Sequence, residues 1–270
     1  MKGDLVARDL IASAGIVASE ARSLLAFVLD SPREALIAHP RHQVPTSAAA
    51  RFRDLCARRL AGEPIAYLLS DREFFGRRFR VDRSVLIPRP ETECLVEAAL
   101  DEMKGRGRPR VLDAGTGSGC IAITLALERP DAEVSATDVS EAALELARSN
   151  ATALGARVGF IHADWYVPEV RRFDLIVSNP PYIAADDPHL IDLACEPREA
   201  LTDGGDGLSC LRAIIDRAPA HLTTRGALLV EHGYDQAAAV RAMMIRNGFG
   251  SIRTLTDLAG VERVCWGLLG

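Results

Sequence analysis

The chain has 270 residues, enough for one large or two ordinary domains, and its 48% hydrophobic and 26% charged content is typical of a soluble globular protein. The net charge of −5 argues against a protein that coats nucleic acid by electrostatics alone, so we expect no stable nucleic-acid partner. No apolar run approaches the ~20 residues of a membrane span, and MKGDLVARDL lacks the features of a signal peptide. We therefore expect no membrane association.

Cysteine and histidine positions restrict the chemistry further. No two of the six cysteines lie closer than 15 residues, which fits neither a zinc site nor a small disulfide framework, and the six histidines are equally dispersed. We expect that the protein binds no metal and that it is located in the reducing cytoplasm. Charge is uneven, since residues 1–60 carry a balance of +3 and the remaining 210 carry −8.

The first part of the chain has a helical pattern. In residues 1–62 apolar side chains recur at helical intervals between prolines, which predicts a small N-terminal helical bundle. Residues 63–90 are predicted to be a hairpin and linker, because apolar and arginine residues alternate around Gly76. The sequence IPRPETE then begins an amphipathic helix that extends to about Met103.

The remainder, residues 91–270, alternates strand and helix patterns. Strands are predicted at 111–115, 133–138, 158–164, 173–179 and 226–233, with two more joined by a turn in 251–269. Units of this length predict an α/β fold: a doubly wound, mostly parallel, seven-stranded sheet with an antiparallel edge strand.

A glycine loop follows the first of these strands. Gly115, Gly117 and Gly119 stand between a strand and a helix, where glycines let the backbone approach a ligand and the helix N-terminus offers free N–H groups. The fingerprint of a dinucleotide-binding loop would require a glycine where Cys120 stands. The Gly-Lys-Ser/Thr ending of a loop that binds a nucleoside triphosphate is missing as well.

Two side chains at later strand ends indicate the ligand class. Asp138 ends the second strand, where a carboxylate can accept both hydroxyls of an unphosphorylated ribose. Trp165, after the third strand, could lie against a flat base. Alone, Asp138 could be a helix cap and Trp165 could serve packing. Together at one sheet edge they favour an adenosine-type ligand.

The fourth strand ends in the stiff and polar sequence Asn179-Pro180-Pro181-Tyr182. Asn-Pro is a common way to open a turn, so the sequence could be structural only. With the glycine loop before it, however, the tetrapeptide resembles the S-adenosylmethionine-dependent methyltransferases that modify planar amide or amine nitrogens. RRLAGEPIAYLLSDREFFGRRFRVDRSVLIPRPETE, DAGTGSG, EPREALTDGGDGL and DLAGVERV extend the resemblance to the peptide-chain release factor glutamine methyltransferases.

This resemblance implies a function and a set of site residues. The methyl group of S-adenosyl-L-methionine would go to the side-chain amide nitrogen, N5, of the Gly-Gly-Gln glutamine in class I peptide-chain release factors, leaving S-adenosyl-L-homocysteine. Residues 1–62 would dock the substrate, and 91–270 would be the methyltransferase domain. The implied cofactor-binding residues are Asp113, Gly115, Thr116, Gly117, Ser118, Gly119, Asp138, Trp165 and Asn179. The implied substrate-binding residues are Asn179, Pro180, Pro181 and Tyr182, of which Asn179, Pro180 and Tyr182 are catalytic. One departure from the family pattern is Leu69-Ser70, where a glycine is expected.

The chemistry of an amide accounts for these residue types. Its nitrogen is a poor nucleophile because the lone pair is delocalised into the carbonyl. The Asn179 side-chain oxygen and the Pro180 carbonyl can accept both amide hydrogens, which orients the nitrogen and favours the positive charge that develops on it. The prolines remove competing donors, and the Tyr182 ring can stack on the flat substrate group.

Three alternatives stay open on the residues alone. A ribosomal-protein glutamine methyltransferase would share the pocket and differ in the docking domain. An adenine-N6 DNA methyltransferase has a similar motif, but it must flip a base and grip phosphates, which an acidic chain fits poorly. A non-catalytic binding module on the same fold is the third, and the intact glycine loop, Asp138 and NPPY sequence argue against it.

Overall fold

The computed structural model describes residues 5–167 and 171–270, and the chain divides into two compact units between Asp71 and Arg72. Each unit has a hydrophobic core of its own. No helix of the described residues is long and apolar enough to cross a membrane.

The first unit is helical, as the sequence predicts. Its described helices are α1 (Ala7–Ala12), α2 (Ala18–Val28), α3 (Arg33–Ala38), α4 (Thr46–Leu60) and α5 (Ile65–Leu69). Leu24 and Leu25 of α2 and Phe52 of α4 are buried in its core.

Prolines set the starts of three of these helices. Pro32, Pro45 and Pro64 precede α3, α4 and α5, with φ between −56° and −60°. A proline tolerates this place because the N–H that it lacks would have no partner within the helix. The prolines that punctuate the apolar pattern therefore mark helix boundaries.

The first unit extends beyond the predicted boundary at residue 62. Helix α5 belongs to it, since Leu68 is 3% exposed and forms part of the bundle core. The predicted linker 63–90 is likewise not a separate segment, because Phe74 and Phe79 are buried in the core of the second unit. Burial of apolar side chains on each side of Asp71 thus places the division there.

The predicted hairpin opens the second unit. Strands β1 (Arg72–Phe74) and β2 (Arg77–Phe79) pair antiparallel. Phe75 and Gly76 connect them with φ of 49° and 70°, the left-handed conformation that a tight two-residue hairpin turn requires. The rings of Phe74 and Phe79 meet edge to face with centroids 6.1 Å apart, which fixes the hairpin to the core.

The second unit contains a seven-stranded sheet within the described residues. Its strands are β3 (Arg110–Ala114), β4 (Glu133–Asp138), β5 (Gly159–His162), β6 (Phe173–Ser178), β7 (Leu222–Glu231), β8 (Phe249–Thr256) and β9 (Glu262–Leu269). Their order is β5-β4-β3-β6-β7-β9-β8. The first five are parallel, and β9 runs antiparallel to β7 and β8. The predicted mostly parallel sheet with an antiparallel hairpin at its edge is confirmed.

Helices cover both faces of this sheet. They are α6 (Glu93–Glu102), α7 (Cys120–Glu128), α8 (Glu141–Leu154), α9 (Ser209–His221) and α10 (Ala237–Arg246), and a 3-10 turn at Pro90–Thr92 precedes α6. Successive strand residues face opposite clusters, as Leu175 and Ile176 of β6 do. Because the first five strands are parallel, their carboxyl ends lie at one edge of the sheet. The loops that carry the predicted motifs come together at that edge.

The left-handed conformation of Ser70 generates a stability prediction. Ser70 ends α5 with φ of 53°, is exposed, and stands where the family pattern favours glycine. A residue with a side chain is destabilised by about 1–2 kcal/mol in this conformation. Glycine removes that strain, but it also increases the conformational entropy of the unfolded chain, which offsets part of the gain. We expect Ser70→Gly to raise the free energy of unfolding by about 0.5–1 kcal/mol in urea titrations followed by circular dichroism.

Ser13 is a matched control for this change. It also ends a helix, is exposed and donates its hydroxyl to the carbonyl three residues earlier, but its φ is −92°. Ser13→Gly should lower the stability. If both glycines destabilise equally, the strain at Ser70 is not real.

Candidate active site

The glycine loop between β3 and α7 is a cradle built from left-handed backbone. Gly115, Gly117 and Gly119 have φ of 78°, 53° and 82°. A Cβ on Gly115 would lie 2.8 Å from the ring of Trp165, and one on Gly119 would lie 2.8 Å from Ile123, so neither position has room for a side chain. Conformation favours glycine at all three positions, and space requires it at Gly115 and Gly119.

Asp113 supports this loop from beneath. It is fully buried, and its Oδ2 accepts hydrogen bonds from the Thr116 hydroxyl at 2.6 Å and the Ala122 N–H at 3.1 Å. Burial raises the pKa of Asp113 to about 7. Asp113 is not among the residues that line the adjoining cavity, and neither is Gly119. Within the structure Asp113 supports the loop, and the cofactor contact predicted for Asp113 and Gly119 stays a prediction.

Asp138 and Trp165 lie at the edge of the cavity, as the sequence predicts. The two carboxylate oxygens of Asp138 accept the N–H groups of Gly117 at 2.8 Å and Ser140 at 2.9 Å. Each oxygen retains a free lone pair for a ligand, because a carboxylate oxygen can accept two hydrogen bonds. Trp165 has φ of 61°, and its carbonyl accepts the Thr137 hydroxyl at 2.6 Å.

The backbone of the NPPY sequence is fixed by the loops around it. The N–H of Ile183 donates to the Leu201 carbonyl at 3.0 Å, and the Gln236 amide donates to the Tyr182 carbonyl at 2.9 Å. Gly207 packs so closely that a Cβ there would overlap the Tyr182 carbonyl oxygen. The chain after β6 thus has one defined path.

The side chains of the NPPY sequence reach two buried polar groups. The Asn179 Nδ2 donates to the Thr92 hydroxyl oxygen at 3.1 Å, and the Tyr182 hydroxyl donates to Glu231 Oε1 at 3.0 Å. Burial raises the pKa of Tyr182 and raises that of Glu231 to about 7. Both hydrogen bonds join chain segments that are far apart in sequence, by 87 and 49 residues.

Two cavities meet at Asn179. The larger one encloses about 980 Å³ of space open to solvent. Its walls include residues 115–118 of the glycine loop, Asp138, Trp165, and Ser84, Val85, Leu86, Pro88, Arg89 and Thr92. The smaller one encloses about 340 Å³. It is lined by Leu86, Arg89, Asn179, Pro180, Tyr182, Ile183, Leu193, Ala200 and Leu201. Asn179 belongs to the walls of both, so its side chain can contact ligands in both.

Comparison with known proteins identifies the family. The chain is 52% identical to the release factor glutamine methyltransferase of Bordetella pertussis, over 97% of this chain and 98% of that protein. It is 53% identical to the enzyme of the same name from Neisseria gonorrhoeae, over 92% of each chain. The chain belongs to the release factor glutamine methyltransferases. Family models agree: residues 6–69 match the PrmC N-terminal domain and residues 91–208 match the methyltransferase small domain.

Solved structures bear out the fold of this methyltransferase. A methyltransferase from Pyrococcus furiosus superposes with a TM-score of 0.54 at 19% identity, over 79% of this chain and 97% of that one. The catalytic domain of hMettl16 superposes with a TM-score of 0.58 at 18% identity, over 79% and 81%. The sheet and its helices are therefore shared widely, while the family is defined by sequence.

Several residues of the site were not found from the sequence. Thr92, Glu231 and Gln236 all contact the NPPY sequence. The buried Glu196 holds Arg89 in an ion pair and accepts the Ile87 N–H at 3.0 Å, which fixes the segment between the two cavities. Glu231 could have been recognised as a candidate site residue, because it ends an apolar strand at the same edge of the sheet. Thr92 and Glu196 lie within stretches that carry the resemblance, but their contacts are made across the fold, and no local pattern shows which residues they meet.

The described residues contain no group of three or more His, Cys, Asp or Glu side chains placed to hold a metal ion.

The contact of Gly207 with Tyr182 generates a second prediction. We expect Gly207→Ala to lower the free energy of unfolding by about 2–4 kcal/mol in urea titrations, because the added Cβ combines left-handed strain with a clash against rigid backbone. Gly204 is the control: its φ of 77° matches the 75° of Gly207, but a Cβ there meets nothing within 4 Å. Gly204→Ala should cost only the strain, about 1 kcal/mol. Equal losses for the two variants would contradict the close packing at Tyr182.

Proposed function

We propose that this chain transfers a methyl group from S-adenosyl-L-methionine to the side-chain amide nitrogen, N5, of the Gly-Gly-Gln glutamine in class I peptide-chain release factors. The observation that carries the proposal is the place of Asn179, whose side chain belongs to the walls of two adjoining cavities. Full-length relatives that are 52% and 53% identical bear the corresponding name, which supports the substrate.

The larger cavity fits S-adenosyl-L-methionine. Gly115 and Gly117 present bare backbone to it, Asp138 can accept hydrogen bonds from ribose hydroxyls, and the Trp165 ring offers a flat apolar wall. Thr116 and Ser118 complete the loop that would hold the cofactor. When bound, the cofactor supplies an activated methyl group on a sulfonium centre, and it leaves as S-adenosyl-L-homocysteine.

The smaller cavity fits a glutamine side chain. Leu86 and Ile183 provide apolar walls for the two methylene groups. Asn179 provides an oxygen where this cavity meets the larger one, and Pro180 provides a carbonyl oxygen in the wall of the smaller cavity. The Asn179 Nδ2 already donates to Thr92, so Oδ1 is the end of the amide that can face a substrate N–H.

The chain then acts on the substrate by orientation and electrostatics. Asn179 Oδ1 and the Pro180 carbonyl accept the two amide hydrogens, which turns the nitrogen toward the methyl group and stabilises the positive charge that develops on it. With the cofactor bound, the nitrogen would form a bond to its methyl carbon while the methyl–sulfur bond breaks, and the methylated amide would release one proton to solvent. No covalent bond to the protein is required.

Tyr182 contributes its ring to this arrangement. Its hydroxyl donates to the buried Glu231, and burial raises the pKa of Tyr182, so the phenol stays neutral and does not act as a base. The ring lines the smaller cavity, where it can stack on the planar substrate amide and exclude water.

We assign substrate docking to the helical unit that ends at Asp71. Its charge balance differs in sign from that of the rest of the chain, and it contributes no residue to the two cavities described above. We also place the enzyme in the cytoplasm, because its six cysteines are free thiols, as a reducing compartment keeps them.

Removal of the helical unit tests the docking role. A chain that begins at Arg72 should bind S-adenosylhomocysteine with nearly unchanged affinity in calorimetry, because the residues that line the larger cavity lie in the second unit. Its methylation of whole release factor should fall sharply. Loss of both activities to the same extent would instead assign the helical unit a structural role.

Replacement of Asn179 tests the proposed chemistry. Asn179→Ala should reduce kcat by roughly 10²–10³, as loss of a comparable transition-state contact does, with only a modest change in cofactor affinity. Thermal melting must show that the variant is folded. A folded Asn179→Ala enzyme with near-normal turnover would rule out the mechanism.

Tyr182→Phe is the companion variant. It keeps the ring and should have a milder effect on kcat than Asn179→Ala. It should lower the free energy of unfolding by about 1–3 kcal/mol, because Glu231 loses a buried donor.

The substrate itself is tested by peptide mass spectrometry. Purified enzyme and S-adenosyl-L-methionine are incubated separately with a class I release factor, with the same factor carrying asparagine in place of its Gly-Gly-Gln glutamine, and with ribosomal proteins. The proposal expects one added methyl group on that glutamine and none on the asparagine variant. Methylation of a ribosomal-protein glutamine alone would overturn the substrate assignment and keep the chemistry.

A further inference from the structure

The orientation of the Asn179 amide is a choice between two nearly isosteric states. A primary amide carries an acceptor on one arm and two donors on the other, and a half-turn exchanges them with almost no change in shape. Only the orientation with Oδ1 toward the smaller cavity can accept a substrate N–H. The opposite orientation would present a second donor to the substrate amide and repel it.

Thr92 contacts the arm of Asn179 that must not face the substrate. Its hydroxyl oxygen lies 3.1 Å from Asn179 Nδ2, and Thr92 is 2% exposed. The backbone of Thr92 is fixed as well, because its N–H donates to the Arg89 carbonyl at 3.2 Å and the adjoining helix α6 buries Leu95 completely. Thr92 is thus a rigid acceptor for Nδ2.

A threonine hydroxyl can donate a hydrogen bond as well as accept one. The buried Glu231 is the acceptor toward which the Thr92 proton can turn. The Thr92 hydroxyl interacts favourably with the Glu231 carboxylate, which is 1% exposed, and Oε2 of this carboxylate has no hydrogen-bond partner in the described parts of the chain. Burial raises the pKa of Glu231 to about 7, so above this pH the carboxylate is ionised and only accepts hydrogen bonds. A Thr92 proton turned toward Glu231 leaves the oxygen lone pairs facing Asn179.

We propose that Thr92, oriented by Glu231, is a positioning residue that holds Asn179 with Oδ1 toward the substrate nitrogen. The inference rests on the proposed function and deepens it. The structure shows the first step of this polarity, in which Asn179 Nδ2 donates to Thr92. The proposal turns the Thr92 proton toward Glu231 Oε2, which has no other partner among the described residues. Neither Thr92 nor Glu231 touches the reacting nitrogen, so each acts through Asn179.

The test compares substitutions at both positions in the full chain. Thr92→Val keeps the shape of the side chain and removes the acceptor, and Thr92→Ser keeps the hydroxyl. We expect Thr92→Val to lower kcat about 10-fold, since the orientation of Asn179 is lost, and Thr92→Ser to recover most of that loss. The KM for release factor should change by no more than about twofold in Thr92→Val. The affinity for S-adenosylhomocysteine is measured separately, because Thr92 also lines the larger cavity.

Glu231→Gln supplies the independent arm. The new amide N–H can donate to Thr92, which releases the Thr92 proton toward Asn179 and favours the wrong orientation. The comparison is made in a Tyr182→Phe background, which removes the separate contact of Glu231 with the Tyr182 hydroxyl. There the kcat should fall about as far as with Thr92→Val, and the two changes together should lower it no further than either one, because both then act through Asn179. Melting temperatures identify any variant that is merely unfolded.

The outcomes separate this inference from the proposed function. If the unaltered enzyme methylates no glutamine, the proposed function fails. If it does and Thr92→Val keeps full kcat, the inference is wrong. Equal losses in Thr92→Val and Thr92→Ser, or losses that multiply in the double variant, also overturn it, because they indicate packing and not polarity.

Discussion

The hydrogen bond between Asn179 and Thr92 is the contact on which the proposed chemistry of the site depends. It joins the end of β6 to the start of α6 and commits one arm of a symmetric-looking amide to the protein. The other arm is left for a ligand at the junction of the two cavities. If this bond were reversed, the NPPY sequence would keep its shape and lose its ability to accept a substrate hydrogen.

The fold supplies the rigidity that this contact needs. Parallel strands end at one edge of the sheet. The glycine loop after β3, Asp138 at the end of β4 and Asn179 after β6 are therefore brought together by the topology of the sheet, although they are far apart in the sequence. Pro180 and Pro181 restrict the backbone that follows, and Gln236 fixes the Tyr182 carbonyl from the other side. A methyl transfer that depends on orientation requires this restraint.

The sequence predicted the parts of the site whose signal is local. Glycine spacing, strand ends and the NPPY sequence can each be recognised within a few residues, and the structure brings Gly117, Asp138, Trp165 and Asn179 to one cavity. The resemblance also implies a cofactor contact for Asp113, which stays a prediction; the structure adds that Asp113 is buried and accepts the Thr116 hydroxyl.

Other features depend on contacts that no local pattern carries. Thr92 is 87 residues from Asn179, and Glu231 is 49 residues from Tyr182. The end of the helical unit was placed too early because α5 is short, and only its burial against the bundle shows where it belongs. Propensity and periodicity describe single elements, while these assignments depend on which elements pack together.

The most direct test is a high-resolution structure of the chain with S-adenosylhomocysteine and a glutamine peptide from a release factor, with hydrogen positions determined by neutron diffraction. The account predicts the glutamine amide nitrogen in the smaller cavity, about 3 Å from Asn179 Oδ1, with the Asn179 amide hydrogens directed at Thr92. A bound glutamine that faces Asn179 Nδ2, or that lies outside the smaller cavity, would contradict it.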